Sequence, residues 1–300
     1  MTSPEVPMTS GEVGQAESVA PDPAKAPALD AALGAGADGA ADPALNPNLV
    51  RDRDRDRDRD PNPNPAANPD PARDADADPD LDPARDADEG ADPDAATVLV
   101  LLRHGESTLT AQKRFSGSGG SDPALSEHGR WQAARAAAEL VLRGGVQAVV
   151  SSPLARCRQT AQAAADRLGL DVTVEPGLRE TDFGAWEGLT FGEIRERYPA
   201  EMDAWFASAD AAPPGGESFA AVAARVAAAR DGLLDRYRGR TVLVVSHVTP
   251  ITTLVRLALD APAEALFRMA VGPASLSEVA YYADGNASVR QLNSTAHLRP

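Results

Sequence analysis

Residues 97–107 read TVLVLLRHGES, and this stretch decides the fold. Its apolar part is a continuous aliphatic run, as in a strand buried on both faces of a parallel sheet. Arg103 and His104 then stand at the carboxyl end of that strand, where open α/β sheets bind their ligands. Gly105 follows and predicts a sharp turn. A guanidinium can hold phosphate oxygens in a fork and an imidazole can attack phosphorus, so this strand end predicts phosphoryl chemistry.

Two further segments repeat this pattern of an apolar strand that ends in polar residues and leads into a helix. Residues 146–161 read VQAVVSSPLARCRQTA and place Arg156 in the first turn of the helix. The helix dipole is positive there, so a cation is unfavourable unless an anion lies close by. Residues 240–251 read RTVLVVSHVTPI and place His247 at the end of the strand. We therefore expect both side chains to join the first pair.

A fourth segment, residues 178–190, supplies carboxylates and reads LRETDFGAWEGLT. Two glycines and two aromatic residues within six positions are typical of an ordered loop. Glu180, Asp182 and Glu187 are candidate general acids, because an alkoxide that leaves phosphorus has to be protonated. At least two of these three carboxylates are expected only to cap or solvate the loop.

Together the four segments resemble the histidine phosphatase superfamily, also called the phosphoglycerate mutase-like group, over residues 97–296. The order and spacing of the segments make the joint pattern specific. Residues 181–190, 213–219 and 244–251 carry a closer resemblance to the acid phosphatase domain of actinobacterial bifunctional ribonuclease H/acid phosphatase proteins. The FGAWEG element at residues 183–188 is similar to that of α-ribazole phosphatases.

The resemblance implies a covalent mechanism without a metal or another cofactor. His104 would accept the phosphoryl group, and Glu180 would protonate the leaving group and then deprotonate the attacking water. Arg103, Arg156 and His247 would surround the phosphate oxygens, and His247 also counts as catalytic. The sequence has no Asp, Glu and His cluster with the spacing of metal ligands. Candidate contacts to the substrate are Thr110, Ser116, Gly117 and Val248.

The chain departs from the family pattern at places that bear on the substrate. Thr110 stands where many members have Asn, and Val248 stands where Gly is frequent. Residues 183–188 replace the Tyr-Gly-x-Leu-x-Gly element of phosphoglycerate mutases, which favours hydrolysis of a small phosphate monoester over phosphoryl transfer. Two alternatives stay open: a mutase, and a non-catalytic module that only binds phosphate.

Composition divides the chain near residue 96. Residues 1–96 hold 8 Lys and Arg, 23 Asp and Glu and no aromatic residue, whereas all 13 aromatic residues follow. Such a segment cannot bury enough apolar surface to offset its chain entropy, so we expect a disordered acidic tail. Residues 97–300 are expected to form one histidine phosphatase domain. The tail suits a solubilising linker, an interaction role stays open, and no partner for it is specified.

The remaining features exclude several classes of protein. No basic patch favours a nucleic acid partner, and no apolar run is long enough for a membrane span. We expect no secretory signal, because residues 1–20 lack an apolar core. The expected partner is a small-molecule phosphate monoester, and a single cysteine suits a cytoplasmic location. No base is evident next to Cys157, so a packed thiol is expected. His128 and His297 are expected at the surface.

Helical patterns separate the strands and predict an α/β, three-layer sandwich with a mostly parallel sheet covered by helices on both faces. Strands near residues 276–282 and 288–292 predict an antiparallel edge hairpin. Residues 193–219 predict a small helical cap whose aromatic side chains either hold an apolar leaving group or pack the cap onto the domain. These side chains are Tyr198, Trp205, Phe206 and Phe219.

Overall fold

The computed structural model describes residues 95–299. The strands are β1 (Thr97–Arg103), β2 (Ala148–Ser151), β3 (Val172–Val174), β4 (Thr241–Ser246), β5 (Leu276–Tyr281) and β6 (Ala287–Ser294). The α-helices are α1 (Thr108–Ala111), α2 (Glu127–Arg143), α3 (Ala155–Leu168), α4 (Phe191–Arg197), α5 (Pro199–Ala207), α6 (Phe219–Arg236) and α7 (Val248–Ala258). Short 3-10 helices span Pro176–Leu178, Gly184–Trp186, Ala263–Arg268 and Ala296–Leu298. The predicted disordered tail lies outside the described residues, apart from its last two.

The six strands of the described region form one sheet in the order β3-β2-β4-β1-β5-β6. Strands β1 to β4 pair in parallel, whereas β5 pairs antiparallel with β1 and with β6. This confirms the mostly parallel sheet with an antiparallel edge hairpin. The register places Arg103 beside Ser246 and Ser151 beside Val245. The carboxyl ends of β1, β2 and β4 are therefore level with one another.

Alternate residues of β1 enter the two layers of the core. Leu99 and Leu101 pack with residues of α6 and α7, while Val100 and Leu102 pack with residues of α2 and α3. A strand imposes this alternation because successive side chains point to opposite faces. The helices on both faces of the sheet confirm the predicted three-layer sandwich.

The cap is built from α4, α5 and the loop that leads to α6, and its aromatic side chains contact one another. Trp205 is 2% exposed, with its ring centroid 4.6 Å from that of Phe219 and 5.4 Å from that of Trp186. Phe206 lies 5.3 Å from Trp205 and joins the same cluster. The aromatic side chains predicted in the cap therefore pack it onto the domain, and none of them lines the pocket described below.

Short sequence signals set the helix ends. The Ser126 hydroxyl accepts the Gly129 N–H at the start of α2, and Thr190 and Glu193 form a capping box at the start of α4. Gly169 adopts the left-handed conformation that ends α3.

Within residues 95–299, no helix combines the length and apolarity that crossing a membrane requires.

A Cβ at Gly105 would collide with the Gly129 carbonyl oxygen, so the lack of a side chain there permits close packing after β1. One single-residue expectation is wrong. His297 is not exposed, since it is 8% exposed and its Nε2 lies 3.0 Å from the Ala274 carbonyl oxygen. His128 is exposed as expected, and its ring stacks on Trp131.

We expect Leu101→Ala to lower the free energy of unfolding by about 2–5 kcal/mol, because Leu101 is fully buried and its truncation leaves a cavity. Leu142→Ala is the matched control, since Leu142 is 83% exposed, and its change should stay within about 0.5 kcal/mol. Denaturant unfolding monitored by tryptophan fluorescence measures both. Equal losses in the two variants would contradict the assigned core.

Candidate active site

The polar residues that follow β1 and β2 meet at one edge of the sheet. The His104 N–H donates to the Ser246 carbonyl at 3.0 Å, and the Ser152 N–H donates to the Val245 carbonyl at 2.9 Å. A pocket opens at this edge and encloses about 430 Å³, its mouth included. It is lined by Arg103, His104, Thr110, Lys113, Arg114, Phe115, Ser116, Arg156, Glu180, Phe183 and Val248.

His104 is 4% exposed and is held between two groups that fix its tautomer. Its Nδ1 lies 2.7 Å from the Gly105 carbonyl oxygen, which can only accept, so Nδ1 carries the proton. Its Nε2 lies 3.4 Å from Nε of Arg156, which can only donate. Nε2 therefore bears the lone pair of a neutral imidazole and is the nucleophilic atom of this side chain.

The surroundings keep this imidazole neutral. Burial is the main cause that lowers the pKa of His104 well below 6.5, and the charges of Arg156 and Arg103 lower it further. The Gly105 carbonyl opposes this shift by accepting the Nδ1 proton. Burial lowers the pKa of His247 in the same direction, again reinforced by Arg156. Both imidazoles are therefore uncharged at neutral pH.

Arg103 and Arg156 are buried cations that retain free donors. Arg103 is 4% exposed and donates from Nη1 to the Val271 carbonyl at 2.6 Å, while its Nε has no partner. Arg156 is 1% exposed and donates from Nη2 to the Ser116 carbonyl at 2.8 Å. Its Nη1 makes no hydrogen bond and lies 3.6 Å from the Asp122 carboxylate.

Burial lowers the pKa of Arg103 to about 10, opposed by the carboxylate of Glu180, so its guanidinium is still charged at neutral pH. Buried charges with unsatisfied donors are costly unless a counter-charge joins them. The two guanidinium groups therefore favour a bound anion beside Nε2 of His104.

His247 lies behind His104 rather than on the pocket surface. The two ring centroids are 5.0 Å apart, and His247 is fully buried. Its Nε2 lies 2.7 Å from Oγ of Ser152. The predicted proximity of the two histidines is therefore present, but His247 does not itself line the pocket.

The expectation that no base lies next to Cys157 is wrong, because its Sγ lies 3.3 Å from Nε2 of His247. The sequence could not reveal this contact, since Cys157 lies on α3 and His247 follows β4, far away along the chain. The thiol is nevertheless fully buried, and burial raises its pKa to about 12. The expectation of a packed, unreactive thiol thus stands on its burial.

Glu180 is 5% exposed, lines the pocket, and is carried by a segment with a dense set of hydrogen bonds. Arg225 donates to the carbonyl oxygens of Gly177, Arg179 and Glu180 at 2.9, 2.7 and 3.2 Å. Glu217 accepts two hydrogen bonds from Arg225, at 3.1 and 3.0 Å. This ion pair fixes the backbone from which the Glu180 carboxyl group reaches the pocket.

The other two carboxylates hold the loop together, as expected for two of the three. Asp182 accepts the Gly184 N–H at 2.9 Å. Glu187 accepts the N–H groups of Gly117 and Phe183 at 2.9 and 3.2 Å, and burial raises its pKa. The Gly117 N–H is bound to Glu187, and Gly117 is not among the residues that line the pocket, so its contact with the substrate stays a prediction.

Thr110, Ser116 and Val248 do line the pocket. Sequence reasoning missed four other lining residues, namely Lys113, Arg114, Phe115 and Phe183, as contacts. The first three directly precede Ser116. A sequence signal for these three residues was present: two cations and an aromatic ring follow the short helix α1 and stand directly before Ser116, a candidate substrate contact.

The sequence and the fold both match known proteins. Residues 99–295 match the family model of the histidine phosphatase superfamily (branch 1). The bifunctional protein Rv2228c of Mycobacterium tuberculosis is 53% identical over 202 residues, which are 67% of this chain and 55% of that protein. The chain thus spans about half the length of this relative.

Solved structures with the same fold include two with phosphatase names. The mycobacterial glucosyl-3-phosphoglycerate phosphatase Rv2419c, in complex with VO3, is 33% identical with a TM-score of 0.61, covering 67% of this chain and all of that one. A putative α-ribazole-5′-P phosphatase from Escherichia coli is 28% identical with a TM-score of 0.60. The match covers 66% of this chain and 97% of that one. These matches confirm the resemblances inferred from the sequence.

The buried histidines predict how stability depends on pH. Their folded pKa values lie below the unfolded value of about 6.5, so the unfolded state takes up protons first as the pH falls. The free energy of unfolding should therefore decrease below pH 6.5, by up to about 1.4 kcal/mol per pH unit for each such histidine.

We expect His247→Gln to flatten this decrease between pH 7 and pH 5.5, as measured by denaturant unfolding at each pH. His128→Gln is the control, because the His128 ring is exposed. A slope unchanged in His247→Gln would contradict a buried neutral imidazole at this position.

Proposed function

Because the chain belongs to the histidine phosphatase superfamily, we propose that it is a phosphomonoesterase that hydrolyses small phosphate monoesters through a phosphohistidine. One observation carries the proposal: the unprotonated Nε2 of His104 lies in a pocket beside two buried guanidinium groups with free donors. The first step of phosphoryl transfer through a histidine needs a nucleophilic nitrogen beside donors that can bind the phosphate, and this pocket provides both.

The phosphate dianion would bind between Arg103 and Arg156 and satisfy their free donors. Helix α7 begins at Val248 on the pocket wall, so its positive end adds to the attraction for an anion. The Nε2 of His247 is now hydrogen-bonded to Oγ of Ser152. In the complex it would instead donate a hydrogen bond to a phosphate oxygen of the substrate. Positioning and electrostatic stabilisation of this kind supply most of the catalysis in phosphoryl transfer.

In the first step, the lone pair of Nε2 of His104 forms a bond to phosphorus and the ester P–O bond breaks. The carboxyl group of Glu180 gives its proton to the departing alkoxide. The ring of His104 gains positive charge, and the Gly105 carbonyl, 2.7 Å from Nδ1, stabilises that charge. The products of this step are an alcohol and a phosphohistidine.

In the second step, the Glu180 carboxylate takes a proton from water as the water oxygen attacks phosphorus. The N–P bond breaks, its electron pair returns to Nε2, and inorganic phosphate leaves. No step requires a metal ion. Within residues 95–299, no group of three or more His, Cys, Asp and Glu side chains is placed to share one.

The substrate is a small phosphate monoester, and the relatives suggest where to look. A glucosyl-phosphoglycerate and α-ribazole 5′-phosphate are named for two of the matched structures. Thr110, Ser116 and Val248 would contact the leaving group, since they line the pocket around the phosphate site. Assay of a panel containing both compounds and simple sugar phosphates would identify the preferred ester.

We expect His104→Ala to reduce hydrolysis of p-nitrophenyl phosphate by at least about 1000-fold, because it removes the nucleophile. The assay contains EDTA, and the wild-type enzyme should keep its activity there. His128→Ala is the control and should match the wild type, since its ring is exposed and stacks on Trp131. Residual activity near the wild-type level in His104→Ala would rule out the proposed mechanism.

We expect Glu180→Gln to slow alkyl phosphates far more than p-nitrophenyl phosphate, because p-nitrophenolate leaves without a proton. The measurement is kcat/KM for both substrates. Glu187→Gln is the control, since this carboxylate holds backbone N–H groups and should affect both substrates alike. Equal losses on both substrates in Glu180→Gln would remove Glu180 from the acid role.

A further inference from the structure

The Arg103–His104 pair is held by a loop of five residues, 271–275, which reads VGPAS and leads into β5. Because β5 pairs antiparallel with β1, this loop runs beside the end of β1. The Ala274 N–H donates to the His104 carbonyl at 3.1 Å, and the Arg103 N–H donates to the Ser275 carbonyl at 3.2 Å. The 271–275 loop therefore fixes the backbone that carries the nucleophile.

The same loop also fixes the guanidinium group of Arg103. Nη1 of Arg103 donates to the Val271 carbonyl at 2.6 Å. Hydrogen bonds from a charged donor are short and strong, so this bond restricts the orientation of the planar group. Nε of Arg103 makes no hydrogen bond with residues 95–299. The position of the 271–275 loop thus sets where this free donor points.

The backbone of the 271–275 loop is strained at Ala274. Its φ of 54° lies in the left-handed region, which is unfavourable for a residue with a Cβ. Such a conformation persists only where the surrounding contacts enforce it. Ala274 is held from both sides, since its N–H donates to His104 and its carbonyl oxygen lies 3.0 Å from Nε2 of His297.

The His297 ring makes a single hydrogen bond within the described region. A carbonyl oxygen can only accept, so Nε2 donates its proton to Ala274. The buried Nδ1 has no partner among residues 95–299. Burying an unsatisfied ring nitrogen is unfavourable, so an apolar side chain would fill this space better. The donor at Nε2 is what His297 provides and an apolar residue would not.

We propose that His297 is a positioning residue for the phosphate site and acts through the 271–275 loop. Its Nε2 proton holds the Ala274 carbonyl, so the loop keeps the conformation that binds the His104 backbone and the Arg103 guanidinium. Without this donor, Ala274 relaxes from its strained φ, and the Val271 carbonyl moves away from Arg103. This inference rests on the proposed phosphatase function and adds to its site a residue that does not line the pocket.

The test compares His297→Met with His297→Gln. Gln keeps an N–H donor near the position of Nε2, whereas Met has nearly the same length and no donor. We expect His297→Met to lower kcat/KM for p-nitrophenyl phosphate by about ten- to a hundredfold, as for a misplacement of about 1 Å. The inhibition constant of inorganic phosphate should rise with it, because Arg103 binds the same anion. His297→Gln should retain most of the activity and of the affinity for phosphate.

Leu233→Ala is the control for a loss of stability alone. Leu233 is 1% exposed and lies in the last turn of α6, which leads to the start of β4 at the end of the sheet opposite the pocket. This variant should lower the melting temperature and leave kcat/KM and the phosphate inhibition constant at their wild-type values. All constants are measured below the melting temperature of each variant.

Asn293→Gly is a second variant that tests the same loop, and it replaces His297→Met if that protein does not fold. Oδ1 of Asn293 accepts the Gly272 N–H at 2.7 Å, so this change removes another hydrogen bond to the 271–275 loop. Glycine adopts the φ of 54° at position 293 without strain. Both constants should change in the same direction as in His297→Met.

Three outcomes overturn the inference and leave the phosphatase function intact. His297→Met, or Asn293→Gly in its place, keeps the wild-type kcat/KM and phosphate inhibition constant; His297→Gln loses as much activity as His297→Met; or Leu233→Ala shows the same changes. If the wild type hydrolyses no ester, p-nitrophenyl phosphate included, the proposed function and this inference fail together.

Discussion

The burial of two guanidinium groups beside a neutral imidazole is the constraint on which the rest of the site depends. Arg103 and Arg156 are almost fully buried, and each donates one hydrogen bond from an Nη atom to a backbone carbonyl. Burial is the main cause that lowers the pKa of His104, the charges of both arginines lower it further, and its lone pair is thereby preserved. The same charges leave donors unsatisfied until an anion binds. One electrostatic arrangement therefore prepares both the nucleophile and the phosphate site.

The pairing of the strands brings the residues of this site together. The parallel pairing of β1 with β4 brings Arg103 level with Ser246, so the residues after the two strands meet without any long loop. The carboxyl group proposed as the acid comes from a loop instead, and the Arg225–Glu217 ion pair fixes that loop. A rigid strand edge and a braced loop thus present the nucleophile and the acid to one pocket.

Much of the fold was predictable because its signals are local. The aliphatic run of residues 97–102, the serine cap at Ser126 and the Thr190–Glu193 box predicted elements that the structure contains. Contacts between distant segments were not predictable. Three features depend on tertiary packing: the imidazole beside Cys157, the burial of His297, and the hydrogen bond from the Gly117 N–H to Glu187.

Direct detection of the covalent intermediate tests the central claim. The enzyme would be mixed with a ³²P-labelled monoester, quenched in base within one turnover, and digested for peptide mapping. The account predicts a base-stable, acid-labile label on His104 that is formed and lost at rates compatible with turnover. Steady hydrolysis without a label on His104, or with the label on another residue, would contradict it.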